Sequence, residues 1–260
     1  MNALRLQNIT YSYEEDKILD KFNLEVKKGH NICICASDSM GKSTLAKLFK
    51  YKIKYLGSYY INEVEVVKAN SYIIDNFVNV VTFDNNLENK KVVDLLFDAF
   101  KDLDEENQTK EVNKIIRYFK IKDSLTFKYN ELSIENKYYL YLIINLLCKD
   151  KYLVIDNILC YLRKSMIDKI YSYAKKNKVT IINITANLEE VFYSEYMICL
   201  YHGKIAMEGD IISCLKEERL LKRLGFKLPF MYDLSLQLNY YEVIDGIYLD
   251  EDEMISKIWN

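Results

Sequence analysis

Histidine, proline and glycine are scarce in this chain: among 260 residues there are two, one and seven of them. The six cysteines form no CxxC pair, so with two histidines the sequence lacks the ligand pattern that zinc sites require. Cys33 and Cys35 alternate on a predicted strand and therefore share one of its faces. We interpret them as buried structural thiols in a reducing compartment.

A strong charge and a long hydrophobic run are also missing. The 36 basic and 38 acidic residues leave a net charge of −2, which gives no electrostatic footprint for nucleic acid. The longest apolar run, residues 138–148, is too short for a membrane-spanning helix, which needs about 20 apolar residues. The sequence opens without a signal-peptide pattern. We therefore expect a globular protein made in the cytosol, whose membrane contacts go through a partner.

The stretch 33–45 has the order strand, tight loop and helix start, and its second half is Gly-Lys-Ser-Thr, typical of a phosphate-binding P-loop. In such loops backbone N–H groups and the helix dipole face the phosphates. The lysine, here Lys42, reaches the β- and γ-phosphates, and the hydroxyl of Ser43 binds Mg²⁺. A chance match is the alternative, but the flanking strand and helix favour nucleotide binding. The predicted nucleotide-binding loop residues are Ala36, Ser37, Asp38, Ser39, Met40, Gly41, Lys42, Ser43 and Thr44.

The first half of this loop departs from the P-loop pattern. Ala36 and Ser39 stand where P-loops have glycine, the residue that lets the backbone approach phosphates closely. We therefore expect ATP and Mg²⁺ to bind more weakly than in an intact P-loop.

Two other residues are candidates for the same site. Asp156 ends a short apolar run, 152–155, in the arrangement in which an aspartate holds Mg²⁺, usually through water. A surface turn is the alternative, and the upstream P-loop favours the metal role. Tyr13 either stacks on a purine ring or is an ordinary strand tyrosine, and spacing alone does not separate the two, because the chain has 23 tyrosines.

Strand and helix patterns alternate along the chain, which is typical of a largely parallel sheet covered by helices. From residue 84 to 150 the periodicity is mostly helical, which indicates an inserted helical region. We divide the chain into a nucleotide-binding core, residues 1–83 with 151–210, a helical subdomain, residues 84–150, and a C-terminal accessory region, residues 211–260. The predicted strands are 4–13, 18–26, 31–35, two within 58–67, 77–83, 152–156, 179–185, 197–201 and 204–207.

Taken together, these segments resemble the ATP-binding domain of ABC transporters over nearly the whole chain. The resemblance implies an α/β P-loop NTPase fold of the ABC ATPase type. This fold has a mixed sheet core, an antiparallel β subdomain, a helical subdomain and, here, a small C-terminal appendage. It also implies a base-stacking role for Tyr13, because the family usually has an aromatic residue there.

The C-terminal region is similar to the tail of the ATPases of energy-coupling factor transporters, which power vitamin and metal-ion uptake in prokaryotes. The similarity lies in residues 224–230, 234–238 and 249–255 and in Trp259. It implies a paralogous ATPase partner, a transmembrane T-component, substrate-binding S-components and a location on the cytoplasmic face of the membrane. Residues 92–100 are then expected to dock the T-component, unless they form the core of the insertion itself.

The departures from the family fall on the residues of ATP hydrolysis. Asn157 stands at the position of the catalytic glutamate and cannot act as a general base. Ala186 stands at the switch-histidine position, Phe83 falls on or near the Q-loop glutamine, and residues 160–163 lack the usual aspartate. The signature, LSGGQ in the family, is here Leu132, Ser133, Ile134, Glu135 and Asn136.

In the family, the two signature glycines present backbone N–H groups to the nucleotide on the opposite subunit. Ile134 is too bulky for that approach, and Glu135 adds negative charge. We therefore expect a subunit that binds ATP and Mg²⁺ while its hydrolysis is impaired. The alternatives are an active ATPase of the same class with altered catalytic residues and a soluble scaffold of ABC type without a transporter.

Overall fold

The computed structural model describes residues 3–14, 16–83, 87–147 and 151–259. In these ranges the strands are β1 Ala3–Tyr13, β2 Asp16–Lys27, β3 Ile32–Ala36, β4 Leu56–Ile61, β5 Val64–Glu65, β6 Val78–Val81, β7 Tyr152–Asp156, β8 Thr180–Thr185, β9 Tyr196–Tyr201 and β10 Lys204–Gly209. The α-helices are α1 Lys42–Phe49, α2 Tyr72–Phe77, α3 Val92–Asp98, α4 Glu105–Phe119, α5 Ile134–Leu146, α6 Lys164–Lys176, α7 Ile211–Leu215, α8 Glu218–Arg223, α9 Phe230–Tyr240 and α10 Glu251–Ile258.

The strands form two sheets, and the predicted fold class is confirmed. One sheet has the order β2-β1-β4-β5 and is antiparallel throughout. The other has the order β10-β9-β3-β8-β7-β6, in which all neighbours are parallel except β10 and β9. Every residue of β3 and β8 is buried, as expected for central parallel strands with both faces covered.

The two faces of β3 pack against different parts of the chain. Ile32 and Ile34 belong to a core that includes residues of the antiparallel sheet. Cys33 and Cys35 point to the other face, where residues of α7, α8 and α9 cover them. Their sulfur atoms are 3.6 Å apart, which confirms that the two thiols share a face.

Helices α3, α4 and α5, here called the helical region, enclose a core of their own that continues onto α6 and β7. Local sequence explains the helix ends: the Asp104 carboxylate accepts from the Asn107 N–H at 3.1 Å and caps α4. Val92, Leu95 and Leu96 are buried in this core, whereas Phe97 and Phe100 are only partly buried against it. The alternative that residues 92–100 form the core of the insertion itself therefore accounts for Val92, Leu95 and Leu96.

Helices α7 to α10 form what we call the C-terminal region, which lies on the cysteine face of β3. Its own interior is tied by the hydroxyl of Ser235, which accepts from the Tyr248 N–H at 2.7 Å. None of the helices within the described ranges has the length and apolar character that crossing a membrane requires.

Two elements differ from the sequence predictions. Helix α2 was not predicted, because it is short and buries only Ile74, which leaves no periodic pattern to detect. Helix α2 includes Phe77, so the strand predicted over residues 77–83 is shorter in the structure, where β6 extends over Val78–Val81. The sequence pattern of residues 187–194 predicts a short helix, and the structure has a 3₁₀ helix there, Leu188–Tyr193.

The β9–β10 turn connects the two sheets through Gly203. Its carbonyl accepts from the Asp20 N–H at 3.0 Å, and Lys204 contacts the Asp20 carboxylate at 3.1 Å. Gly203 has φ +75°, and a Cβ at this position would lie 2.6 Å from the Ile18 carbonyl oxygen. Glycine is thus required both by the backbone conformation and by the close approach of β2.

We predict that Gly203→Ala lowers the free energy of unfolding by about 3 kcal/mol, because the added methyl must displace the β2 backbone. Gly29→Ala is the matched control: Gly29 has φ +87°, but a Cβ there has nothing within 4 Å. The control should therefore lose only about 1 kcal/mol from the left-handed conformation. Urea denaturation of both variants measures the difference, and equal losses would contradict the close approach.

Candidate functional site

The carboxyl ends of β3, β6 and β7 open onto one cavity of about 570 Å³. This is the edge of an open α/β sheet at which ligands generally bind, and the volume lies within the usual range of ligand sites. The described residues that line the cavity are Tyr13, Ile18, Asp38, Ser39, Gly41, Lys42, Ser43, Thr44, Phe83, Asp156, Asn157 and Tyr161.

The cavity brings together predicted site residues from β1, from the loop after β3 and from the ends of β6 and β7. Three residues of the predicted loop do not line it. Ala36 is buried at the end of β3, and Met40 packs against the core between the sheets. The Ser37 hydroxyl donates to the Leu224 carbonyl at 2.5 Å. Ala186 and the signature residues 132–136 are not part of the described lining.

The loop backbone explains why P-loops have glycine at these positions. Ser39 has φ 64° and Gly41 has φ 94°, both in the left-handed region. A Cβ on Gly41 would lie 3.1 Å from Cγ2 of Ile18. Ser39 therefore occupies a backbone conformation that glycine adopts at lower cost. At Gly41, the N-cap of α1, both the backbone conformation and the nearby Ile18 side chain disfavour a larger residue.

The Lys42 ammonium is held at the centre of the loop. It donates to the carbonyl oxygens of Ala36 and Ser37, both at 2.9 Å, and to the Asp38 carboxylate at 3.0 Å. The Lys42 side chain is 11% exposed, whereas that of Asp38 is 97% exposed. An anion that enters the cavity must compete with Asp38, but such an exposed ion pair contributes about 1 kcal/mol or less, so the carboxylate can be displaced.

Tyr13 lies at the cavity wall beside α1 with 44% of its surface exposed. Its hydroxyl accepts from the Lys47 ammonium at 3.5 Å. A hydrogen bond with Tyr11 is the main cause that lowers the pKa of Tyr13 from its usual value, and Thr44 and Lys47 contribute to the same shift. The ring therefore lines the cavity and is accessible from it, which is compatible with stacking on a base.

Ser43 and Asp156 line the same cavity and supply hydroxyl and carboxylate oxygens, the donors that Mg²⁺ prefers. The residues present therefore fit a Mg²⁺-bound nucleotide. Asn157 follows with φ 53°, a left-handed conformation that asparagine tolerates, and its N–H donates to the Ile184 carbonyl at 2.8 Å. Its side chain brings an amide, not a carboxylate, to the cavity.

An aromatic group forms the wall near Asp156. The ring centroids of Phe83 and Tyr161 are 6.1 Å apart, and Tyr138 lies 5.8 Å from Phe83 and 5.1 Å from Tyr161. Tyr161 is a lining residue that the sequence analysis does not predict, because the family resemblance concerns residues 160–163 only through the missing aspartate. Its position shortly after Asn157 was the available signal. This wall is apolar where the family has a glutamine.

The signature residues lie at the start of α5. The Ser133 hydroxyl accepts from the Asn136 N–H at 3.3 Å and caps the helix. The Glu135 carboxylate accepts from the Arg163 Nε at 2.9 Å and from its backbone N–H at 3.2 Å. Ile134 is exposed, and Leu132 is buried. Two departures from the family, Glu135 and Arg163, thus neutralise each other.

The segment after β8 contains Ala186, which has no side-chain proton acceptor. It is shaped by a chain of local hydrogen bonds: Asn187 N–H to the Thr185 hydroxyl at 3.0 Å, and Glu189 N–H to the Asn187 amide oxygen at 3.0 Å. Glu190 is buried, and burial raises the pKa of its carboxyl. The Asn183 amide donates to it at 2.8 Å, and it is not part of the described lining of the cavity.

A larger cavity, of about 720 Å³, lies elsewhere, between β1, β2 and the strand β9. Its lining includes residues of both charge signs, among them Arg5, His30, Glu195 and Glu208. It contains no residue of the predicted loop within the described lining, and volume alone is therefore a poor guide to the site.

We predict that Lys42→Ala abolishes measurable Mg·ATP binding, because the loop loses its only lining cation among the described residues. Asp38→Asn should improve the affinity about 2- to 5-fold by removing the competing carboxylate, the effect of an exposed ion pair. Titration calorimetry measures both. Asp102→Asn, a carboxylate outside the cavity, is the control for net charge. Equal affinity with and without Lys42 would refute the P-loop assignment.

The comparisons with known proteins agree with this geometry. The sequence model of the ABC transporter family matches residues 19–159. The chain is 24% identical to the energy-coupling factor transporter ATP-binding protein EcfA1 of Mycoplasmoides gallisepticum, over 99% of this chain and 95% of the relative. It is 25% identical to the EcfA1 protein of Mycoplasmopsis synoviae, over 98% and 99%.

Among solved structures, cbiO1 from Clostridium perfringens, part of the ABC transporter complex cbiONQ, superimposes with a TM-score of 0.72. The two are 20% identical, and the match covers 88% of this chain and 97% of that one. This likeness shows a shared fold. Because the family match extends over more than half of the 260 residues, and the two-sheet fold with its P-loop cavity agrees with it, the chain belongs to the ABC transporter family.

Proposed function

We propose that this chain is the ATP-binding subunit of an energy-coupling factor transporter for vitamins or metal ions. It pairs with a paralogous ATPase, and hydrolysis in its own site is impaired. The observation that carries the proposal is the set of side chains that line one cavity. Lys42, Ser43 and Asp156 are present there, while an amide and an aromatic wall replace the catalytic side chains. Similarity along the whole length to EcfA1 proteins supports the transporter type.

For binding, the loop and the strand ends have separate tasks. The Lys42 ammonium and the N-terminus of α1 attract the phosphates. Ser43 and Asp156 would hold Mg²⁺, which neutralises phosphate charge when it is bound. Tyr13 offers its ring to the base.

For hydrolysis, the described lining of the cavity contains no group free to act as the general base. Among its described lining residues the carboxylates are Asp38 and Asp156. Asp38 is paired with Lys42, and Asp156 is assigned to the metal. Asn157 cannot accept the proton of an attacking water as a carboxylate would. Phe83 and Ala186 likewise supply no polar group to orient that water. The active-ATPase alternative would need a base from outside this lining.

The substitutions at the signature concern the site of the partner. In the family this motif faces the nucleotide bound to the opposite subunit, which the start of α5 would approach here. That helix start carries the Glu135–Arg163 ion pair and the exposed Ile134 side chain at the positions where the family has two glycines. Both composite sites of a pair are therefore compromised by this one chain.

We predict that the affinity-tagged chain, purified from detergent-solubilised membranes of its own cells, elutes with a second ATPase and an integral membrane subunit. The reason is that a subunit of an energy-coupling factor transporter, the assignment supported by whole-length similarity to EcfA1 proteins, has both of these partners. Mass spectrometry identifies the subunits, and cells that express the tag alone are the control. A monomer that never associates with a membrane protein would contradict the transporter assignment and favour the scaffold alternative.

We further predict that the reconstituted pair hydrolyses ATP slowly and only at the P-loop of the partner. Replacing Ile134 and Glu135 together by glycine should raise the rate more than Asn157→Glu. The glycines readmit backbone N–H groups to the phosphate of the partner's nucleotide, where one such donor is worth about 100-fold or more in rate. Asn157→Glu alone leaves Ala186 and Phe83 unrepaired.

A single-turnover assay ranks the two repairs. Arg163 loses its carboxylate partner in the glycine variant, so Arg163→Ala alone is the matched control. The proposal of impaired hydrolysis is wrong if Asn157→Glu gives the larger gain. It is equally wrong if the unrepaired pair already turns over at about 1 s⁻¹ or faster, a typical enzyme rate.

A further inference from the structure

We propose that the segment 224–230 of the C-terminal region is a brace that sets the geometry of the phosphate-binding loop, with Ser37 as the positioning residue between them. The inference rests on the proposed function in so far as it concerns nucleotide affinity at the same loop. It assigns a role to Ser37, Leu224 and Gly225, which the cavity itself does not use.

The first contact joins the brace to the loop directly. The Ser37 hydroxyl donates to the Leu224 carbonyl at 2.5 Å, across 187 positions of sequence. Gly225 follows with φ +87°, and a Cβ there would lie 3.1 Å from the Ser37 Oγ. The chain at 224–225 therefore lies against the loop, where a side chain at 225 would crowd the Ser37 hydroxyl, and the backbone conformation of Gly225 also favours glycine.

A second contact joins the brace to the loop of the neighbouring strand. The Phe230 N–H donates to the Glu189 carboxylate at 2.6 Å, and the Glu189 N–H in turn donates to Asn187. Because β3 and β8 are adjacent and parallel, the loops at their carboxyl ends lie side by side. The brace thus touches both the phosphate loop and the segment that contains Ala186.

The brace is fixed from beneath. Leu221, Leu224 and Phe226 are buried in the core that includes Cys33 and Cys35 of β3. Such close packing leaves the Leu224 carbonyl little freedom to follow the loop. The Leu224 carbonyl is therefore a firmly placed acceptor for the Ser37 hydroxyl.

Ser37 transmits this position to the phosphate-binding cation. Its hydroxyl is held by Leu224, and its carbonyl accepts from the Lys42 ammonium at 2.9 Å. The orientation of Ser37 thus sets one of the three acceptors of the ammonium, beside the Ala36 carbonyl and the Asp38 carboxylate. An outside hold matters more here than in a glycine-rich loop, because Ser39 keeps a left-handed conformation that a serine does not favour by itself.

The test uses the full chain and four variants with two measurements. Ser37→Ala removes the donor, Gly225→Ala pushes the brace away, and Ser37→Thr restores the hydroxyl. Ser256→Ala is the control, because the Ser256 hydroxyl makes a similar bond, to Glu253 at 2.7 Å, within α10. Hydrogen exchange of residues 37–41 is measured without nucleotide, and the dissociation constant of Mg·ATP by calorimetry.

We expect Ser37→Ala and Gly225→Ala to speed exchange in the loop and to weaken Mg·ATP binding about 5- to 10-fold, the lower range of coupling between linked sites. Ser37→Thr should recover slower exchange and tighter binding relative to Ser37→Ala, and Ser256→Ala should behave as the unaltered chain. Ser37→Ala removes a single oxygen, so it keeps the test valid if Gly225→Ala fails to fold.

Each other outcome is decisive. Unchanged exchange and affinity in Ser37→Ala overturn the brace. Faster exchange with unchanged affinity overturns the positioning role, and so does an equal loss of affinity in Ser256→Ala. If the unaltered chain binds no Mg·ATP, the proposed function fails, while the exchange measurement still decides whether the C-terminal region holds the loop.

Discussion

The structure depends on the burial of β3 from both sides. Its isoleucines pack towards the antiparallel sheet and its cysteines towards the C-terminal region, so that one five-residue strand joins two separate cores. Alternate residues of a strand point to opposite faces, and each face excludes water only if its own cover is present. The phosphate loop begins where this strand ends. Its first residue, Ala36, is therefore held by the best-buried part of the molecule, while the residues beyond it depend on local contacts.

The substitutions that separate this chain from its family are joined in space. Glu135 and Arg163 form one ion pair, although each replaces a different family motif. Phe83 and Tyr161, also from two motifs, contact each other and Tyr138. The Glu135 charge is paired, and the Phe83 ring lies at a tilt against two tyrosine rings, so each of these side chains has a partner. The altered site is thus internally consistent as a folded surface, even though its polar network for hydrolysis has been replaced.

Much of this could be predicted from sequence, because strong periodicity and a local motif carry the information. The strands, α1, α6 and the carboxyl-end position of Asp156 follow from short windows of residues. Helix α2 could not be predicted, since a helix that buries one residue has no apolar stripe. The sequence analysis does not predict the contact between Asp38 and Lys42, although their four-residue spacing is a signal for it. The Ser37 to Leu224 hydrogen bond was beyond reach, since it joins residues far apart in sequence and no side-chain pattern at Leu224 signals that its carbonyl is used.

The two halves of the phosphate-binding loop are positioned in different ways. The second half, from Gly41 onward, is set by α1 itself: the helix begins at Lys42, and the Leu45 N–H donates to the Gly41 carbonyl at 2.9 Å. It keeps the family sequence. The first half has lost its glycines, and its conformation can no longer follow from the backbone freedom of its own residues. Its contacts are of two kinds: the Ser37 hydroxyl reaches Leu224 in the C-terminal region, and the Ser37 carbonyl accepts from Lys42 within the loop itself. A loop that is specified by distant contacts tolerates changes in its own sequence, provided that the elements around it remain rigid.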